Sequence, residues 1–292
     1  MRTRIVIVGG SFGGVNAAYA LRKRLGARAE ITVISKDAAF TFLPSLPRVI
    51  LGWRDPGRLQ IPLERPLTRR GIRFIHGTVQ ELDPSKGEVR TAAGQFSYDT
   101  LVIASGADLD YAAVPGLGPA AYTQSTFTIT EALQARDALA RVLAADRGRI
   151  VLGAGAGASC IGPAYEIVMM IDTALKRTRK RPRFSLAFVT PEPFIGHFGV
   201  GGIGMAPRMM QDEFADRHIE SIVNAKIVEA RPDRLILADG AELPFDFALI
   251  IPAFLGSPFV RAVDGLANPK GFVSVTPQLV STKFDNIYAV GV

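Results

Sequence analysis

Residues Ile150 to Glu166 read IVLGAGAGASCIGPAYE. An apolar run, Arg149 to Leu152, enters a Gly-x-Gly-x-Gly turn at Gly153, Gly155 and Gly157, and a helical pattern follows. Strand, glycine turn and helix form the opening of a Rossmann-type unit. The glycines let the backbone bend tightly and bring the helix close to the sheet. Cys160, the single cysteine of the chain, falls at or near the first turn of that helix. Two readings of it stand side by side. A lone cysteine is commonly a small buried hydrophobe. A thiol at a helix N-terminus is also exposed to partial positive charge, which lowers its pKa and favours the nucleophilic thiolate.

Composition narrows the rest. The chain has 292 residues, 48% hydrophobic and 21% charged, which is enough for two domains or one large one. Lys and Arg number 34 against 27 Asp and Glu, a net charge of +7. That excess is no sign of a nucleic-acid partner, and none is expected; it favours anionic ligands and anionic membrane surfaces. One cysteine excludes an internal disulfide framework and a multi-cysteine metal site. His76, His197 and His218 are far apart and show no ligand spacing, so no metal is expected. The N-terminus enters a strand directly, without a signal-peptide core, and no apolar run reaches membrane-spanning length. These features predict a cytoplasmic protein, able to sit peripherally on the cytoplasmic membrane.

A second glycine turn stands at the start. Arg4 to Val8 reads as a buried parallel strand, followed by Gly9-Gly10-Ser11-Phe12-Gly13-Gly14 and a helical stretch to about Leu25. Gly9 and Gly14 fit a dinucleotide fingerprint, with Ser11 at the middle glycine position. The next strand, Glu30 to Ser35, ends in Ser35 and Lys36 where an acidic ribose ligand is usual; the serine hydroxyl is the weaker substitute and Lys36 reads as solvated. Phe40 to Val49 reads as an irregular apolar loop, packed on the core or lying along a flat ring system. Val79 to Leu82, Glu88 to Thr91 and Gln95 to Tyr98 predict a small antiparallel excursion. Leu101 to Ala104 returns to the parallel sheet and ends in Ser105-Gly106. Lys176 to Arg183 (KRTRKRPR) reads as a solvated helix end and loop, with contact to anionic lipid as the alternative. Strand patterns follow at Phe184 to Val189, Ile227 to Ala230, Arg234 to Leu237, Phe247 to Ile251, Gly271 to Val275 and Asn286 to Val290.

The predicted fold class is α/β, with two Rossmann-like dinucleotide-binding domains, the second inserted in the first. The expected boundaries are 1–115 for the first part of the first domain, 116–245 for the domain carrying Cys160, and 246–292 for the return to the first. A buried strand running almost to Val292 suggests a truncated or incomplete product.

With these units in place the chain resembles the two-dinucleotide-binding-domain flavoproteins. Three stretches narrow the likeness: Phe42-Leu43-Pro44-Ser45-Leu46-Pro47, Gly157 to Glu166, and Glu192-Pro193-Phe194-Ile195-Gly196-His197. Together they resemble bacterial sulfide:quinone oxidoreductases. The resemblance implies non-covalent FAD on the first glycine turn, with Gly9, Ser11, Gly14 and Ser35 at its phosphates and ribose. It sets Phe42 and Pro44 near the flavin ring, Val79, Ser105 and Gly106 near the adenosine and diphosphate, and Gly291 on the late strand end. It makes Cys160 a redox cysteine and His197 a residue of the quinone side, against a reading of His197 as an ordinary surface-loop histidine. It implies sulfide and a quinone as substrates, a peripheral membrane surface and a possible homo-oligomer.

Departures from that pattern are equally specific. A further family cysteine is replaced by Phe127, and a nearby histidine by Glu131. The partner cysteine and membrane helices of the family would lie beyond Val292. Three alternatives remain open. A type-II NADH:quinone oxidoreductase is opposed by Thr190-Pro191 at the strand end, by Cys160 and Pro163 at the helix start, and by Val292 after Gly291. The flavoprotein subunit of a sulfide dehydrogenase is opposed by the lack of an export leader. A non-catalytic FAD-binding fragment is the last.

Overall fold

The computed structural model describes residues 2–291, and they form two compact units. The first unit comprises residues 2–41, 60–108 and 255–291; the second comprises Phe42–Leu59 and Leu109–Phe254.

The first unit is built on a five-stranded parallel sheet in the order Ile287–Ala289, Thr100–Ile103, Thr3–Val8, Ala29–Ser35, Arg73–His76. Thr3–Val8 is central, and its side chains alternate between two cores. Ile5 and Ile7 join Ala18, Ile31, Val33, Leu67 and Ile72 on one face. Val6 and Val8 join Ile34, Leu101, Ile103, Ile287 and Leu266 on the other. A strand covered on both faces is apolar throughout, which is why RIVIV reads as an unbroken run. The antiparallel excursion is present as Val79–Asp83, Glu88–Thr91 and Gly94–Ser97.

The second unit repeats the plan. Its parallel sheet runs Ile219–Ile222, Phe184–Val189, Gly148–Ala154, Phe247–Ile251. One face carries Val151, Ala187, Val189, Ala248 and Ile250 against a three-stranded antiparallel sheet of Ile227–Arg231, Arg234–Leu237 and Glu242–Pro244. An aromatic group formed by Tyr165, Phe188 and Phe214 packs beside the same parallel strands. The mixed α/β class with Rossmann-like parallel sheets is therefore as expected.

Three local expectations are corrected. Phe40 to Val49 is not irregular: Ala39–Thr41 is a strand, Leu43–Ser45 a single 3-10 turn and Leu46–Ile50 a short helix. Its prolines suggested a loop, but Pro44 and Pro47 each stand in the first turn of a helical segment, where the missing N–H has no partner to lose. Gly271 to Val275 forms no regular strand, only isolated bridges between Val273 and Ala267 and between Val275 and Ser281. The third correction is partial: KRTRKRPR is a mostly exposed helix end and loop, as expected, but some of its cations are tied to the second unit. Lys176, Arg181 and Arg217 converge on the fully buried carboxylate of Asp172 at 2.9, 2.7 and 2.9 Å. Lys180 donates to the Leu143 carbonyl.

Candidate functional site

The first glycine turn lies where the central strand meets helix Phe12–Leu25. Close packing requires the glycines. A Cβ on Gly9, whose φ is +118°, would lie 2.0 Å from the Ala104 carbonyl oxygen, and one on Gly14 would lie 1.9 Å from the Gly9 oxygen. The sequence reading missed Gly10, whose added Cβ would come within 2.7 Å of Ser35 Oγ; its place beside Gly9 was the available signal. Ser11 caps the helix with no side-chain hydrogen bond to it, and no acidic residue occupies the first turn. A helix N-terminus without a side-chain cap, over a glycine turn, is a cradle suited to a diphosphate.

The neighbouring expected residues differ in what they present. Ser35 is buried and its Oγ accepts from the Asp37 backbone N–H at 3.2 Å. Lys36 pairs loosely with Asp108 at 3.9 Å. Ser105 Oγ accepts from Ser257 Oγ at 2.9 Å beside Gly106, a hydroxyl pair that the sequence did not single out. Val79 points its side chain into the core, so only its backbone remains for a ligand. Gly291 is exposed with φ +88°, in the left-handed region.

In the second unit Phe42 and Pro44 are exposed on the 3-10 turn. The second glycine turn follows strand Gly148–Ala154. A Cβ on Gly153 would strike the Val189 oxygen at 1.8 Å, and the Gly155 N–H donates to the Ile251 carbonyl at 2.8 Å. Helix Gly162–Arg177 begins with Pro163 in its first turn. Cys160 thus precedes the Ile161 N-cap and lies outside the helix proper. It is a half-buried free thiol, and burial pushes its pKa up from the ordinary value. A thiol within the helix's first turn was expected to have a lowered pKa; Cys160 stands before that turn, where helix-end charge falls off, and desolvation of the thiolate sets the direction upward.

His197 lies in a glycine-rich loop of the same unit. Its Nδ1 is 3.3 Å from Oε1 of the buried Glu192. Oε1 also accepts from the Gly199 N–H at 2.8 Å, while Oε2 accepts from Tyr165 Oη at 2.8 Å and Thr190 Oγ1 at 3.2 Å. Tyr165 Oη in turn accepts from the Gly196 N–H at 3.1 Å. His197 is therefore anchored, not a free surface histidine. The role of Glu192 was not anticipated, although it stands in the quoted motif. Phe127 packs edge-on against Phe254. Glu131 accepts from Tyr111, Ser125, Phe127 and Thr128 and completes the capping box of helix Ile129–Ala144. Among the described residues no group of acidic, histidine or cysteine side chains could hold a metal.

Residues 3–162 match the pyridine nucleotide-disulphide oxidoreductase family. The sulfide-quinone reductase of Aquifex aeolicus is 36% identical over 299 residues, covering 100% of this chain and 68% of its own. The chain belongs to the sulfide:quinone reductase family. The crystal structure of the Aquifex sulfide:quinone oxidoreductase superposes with a TM-score of 0.93 over 99% of this chain and 68% of that one. The mouse mitochondrial sulfide:quinone oxidoreductase is 24% identical, over 98% of this chain and 64% of its own length. An NADH dehydrogenase-like protein of Mycobacterium tuberculosis is 26% identical over 82% of this chain and 60% of its own. The chain thus spans about two thirds of the length of the relatives it matches.

Proposed function

We propose that this chain is the FAD-binding and sulfur-carrying part of a flavoprotein that oxidises sulfide to sulfane sulfur and passes the electrons to a quinone. The observation that carries the reading is the single thiol, Cys160, held after a glycine turn in a chain similar end to end to the Aquifex sulfide-quinone reductase. The first glycine turn suits the diphosphate of FAD, with Gly9, Gly10, Ser11 and Gly14 forming the cradle. Ser35, Ser105, Gly106, Gly291 and the Val79 backbone are the remaining candidates for that cofactor, and Phe42 and Pro44 for its ring. FAD, when bound, supplies a two-electron acceptor that can hand electrons to a quinone. Cys160 holds the sulfur under attack. HS⁻ forms a new S–S bond to sulfane sulfur carried on Cys160, the older S–S bond breaks, and its electron pair leaves on the cysteine sulfur as a thiolate; this exchange is redox-neutral, and reloading Cys160 with sulfane sulfur from a further HS⁻ would give up two electrons, for which FAD would be the acceptor. His197 is assigned to the quinone side, where a neutral ring nitrogen can take up a proton.

The NADH-oxidising alternative is disfavoured by the strand end. Thr190 is fully buried, and nearby Glu192 already accepts from three donors within the unit and faces His197 Nδ1, so neither is free to hold a ribose. Among the described residues no helix is long and apolar enough to cross a membrane; a peripheral seat on the cytoplasmic membrane and a homo-oligomer belong to this proposal.

Cys160→Ser tests it. Folding and flavin content should survive, since size and polarity change little. Serine cannot carry sulfane sulfur, so stopped-flow reduction of the flavin by sulfide should fall by at least about a hundredfold, about 2.7 kcal/mol of barrier. A near-parental rate would remove Cys160 from the chemistry.

A further inference from the structure

Glu192 is a buried acid whose surroundings are protein polar groups in place of water. Its side chain is 4% exposed, yet four groups surround it: Tyr165 Oη and Thr190 Oγ1 on one oxygen, the Gly199 N–H and His197 Nδ1 on the other. The first three have their roles fixed. The Gly199 N–H can only donate. Tyr165 Oη already accepts from the Gly196 N–H, so its hydrogen goes to Glu192. Thr190 Oγ1 likewise accepts from the Glu192 backbone N–H, which leaves its hydrogen for Oε2. The carboxylate is therefore an acceptor throughout, and the ring atom facing it must bring a proton.

From this arrangement we infer that Glu192 is a positioning residue, which fixes His197 in the Nδ1–H tautomer and leaves Nε2 as its bare, proton-accepting nitrogen. The ring is also held in place by Phe194, edge-on with centroids 5.2 Å apart, and by the His197 carbonyl, which accepts from Val200 and Gly202. The His197 side chain is 25% exposed, so the ring is anchored at one nitrogen and not sealed. A proton arriving at Nε2 makes an imidazolium whose other N–H already points at the carboxylate, and the pair shares the charge without moving. Tyr165 ties the device to helix Gly162–Arg177, whose first residues follow Cys160 by two positions.

The inference deepens the reading of His197 as a quinone-side proton acceptor, and rests on it for its purpose but not for its test. Nitrogen-15 spectroscopy of the imidazole rings in the cofactor-free chain reports the tautomer directly, and His197→Gln identifies the signal among three histidines. The expected result is a protonated Nδ1 and a bare Nε2. Glu192→Gln should keep that tautomer: the Gly199 N–H demands the amide oxygen, which then still faces Nδ1, while the hydroxyls of Tyr165 and Thr190 rotate to accept from the amide nitrogen. Glu192→Val removes the acceptor, and the ring should lose its Nδ1–H preference for the Nε2–H form that prevails in water. A second measurement needs no variant at position 192: the Nδ1 proton should exchange slowly and show an Overhauser contact to the Gly199 amide proton, since both point at one oxygen. A bare Nδ1 in the parent chain, or an unchanged tautomer in a folded Glu192→Val, overturns the inference. If the tautomer is as expected but Cys160→Ser still reduces flavin with sulfide, the functional reading fails and the positioning of His197 stands.

Discussion

A thiol half out of water ionises less readily than one in solution, because the thiolate loses hydration that the neutral group never needed. For Cys160 this desolvation sets the direction of the shift, upward from the ordinary 9.0. The sign follows directly. The thiolate is the reactive form, so alkylation by iodoacetamide in the cofactor-free chain should be slow at neutral pH and rise with an inflection above 9. With only one cysteine, every equivalent of label reports this site. An inflection below that value would mean that the helix end dominates. Residue-scale legibility divides along the same line. Gly9, Gly14 and Gly153 were readable because backbone–backbone clashes at 2.0, 1.9 and 1.8 Å leave no other residue possible. The thiol's surroundings were not: the pattern put Cys160 at or near the first turn of its helix, and the helix begins at Gly162, past the thiol. Glu192 was hidden for a related reason: its donors come from Thr190, Tyr165 and the loop 197–199, whose convergence no spacing rule reports.

At the scale of elements, the parallel strands were legible from their unbroken apolar runs, while the joints between elements were not. Lys176 to Arg183 is the case in point. Its charge run looks like a solvated surface, but three cations of the second unit close on Asp172, whose side chain is fully buried. Burial alone would raise the Asp172 pKa; hydrogen bonds from Lys176, Arg181 and Arg217 outweigh it, and the carboxyl is held below its usual range. Arg181 also donates to the carbonyls of Phe184, Arg217 and His218, so it pins the helix end to two strands. Asp172→Ala leaves these cations facing an apolar hole and should destabilise the chain by about 3–5 kcal/mol, read as a lower urea midpoint. A lowered acid pKa stabilises above its unfolded value and loses that contribution as pH falls through the folded one. The parent's advantage over Asp172→Ala should therefore be full at neutral pH and shrink below about pH 4. A difference under about 0.5 kcal/mol would reduce the network to an ordinary surface charge group.

For the whole molecule, two units with separate cores need not unfold together, and a single melting temperature does not describe such a chain. The diphosphate cradle belongs to the first unit, so FAD should raise the stability of that unit in particular. Binding to the folded state alone contributes RT ln(1 + [L]/Kd), about 2.7 kcal/mol at a hundredfold excess over Kd. Calorimetry with added ligand separates what the turn recognises. If the grip is on a dinucleotide diphosphate, as the N-terminus of helix Phe12–Leu25 over Gly9 and Gly10 suggests, ADP should reproduce much of the FAD shift, because it carries the same adenosine diphosphate. FMN, which has the flavin ring but no adenosine diphosphate, should shift the transition little. Gly14→Ala puts a Cβ at 1.9 Å from the Gly9 oxygen and must open the turn. It should abolish both shifts, while the transition of the second unit, which contains neither residue, stays where it was. Equal shifts from FMN and FAD would mean that ring contacts carry the binding, and the assignment of the first turn as the cofactor's anchor would have to be withdrawn.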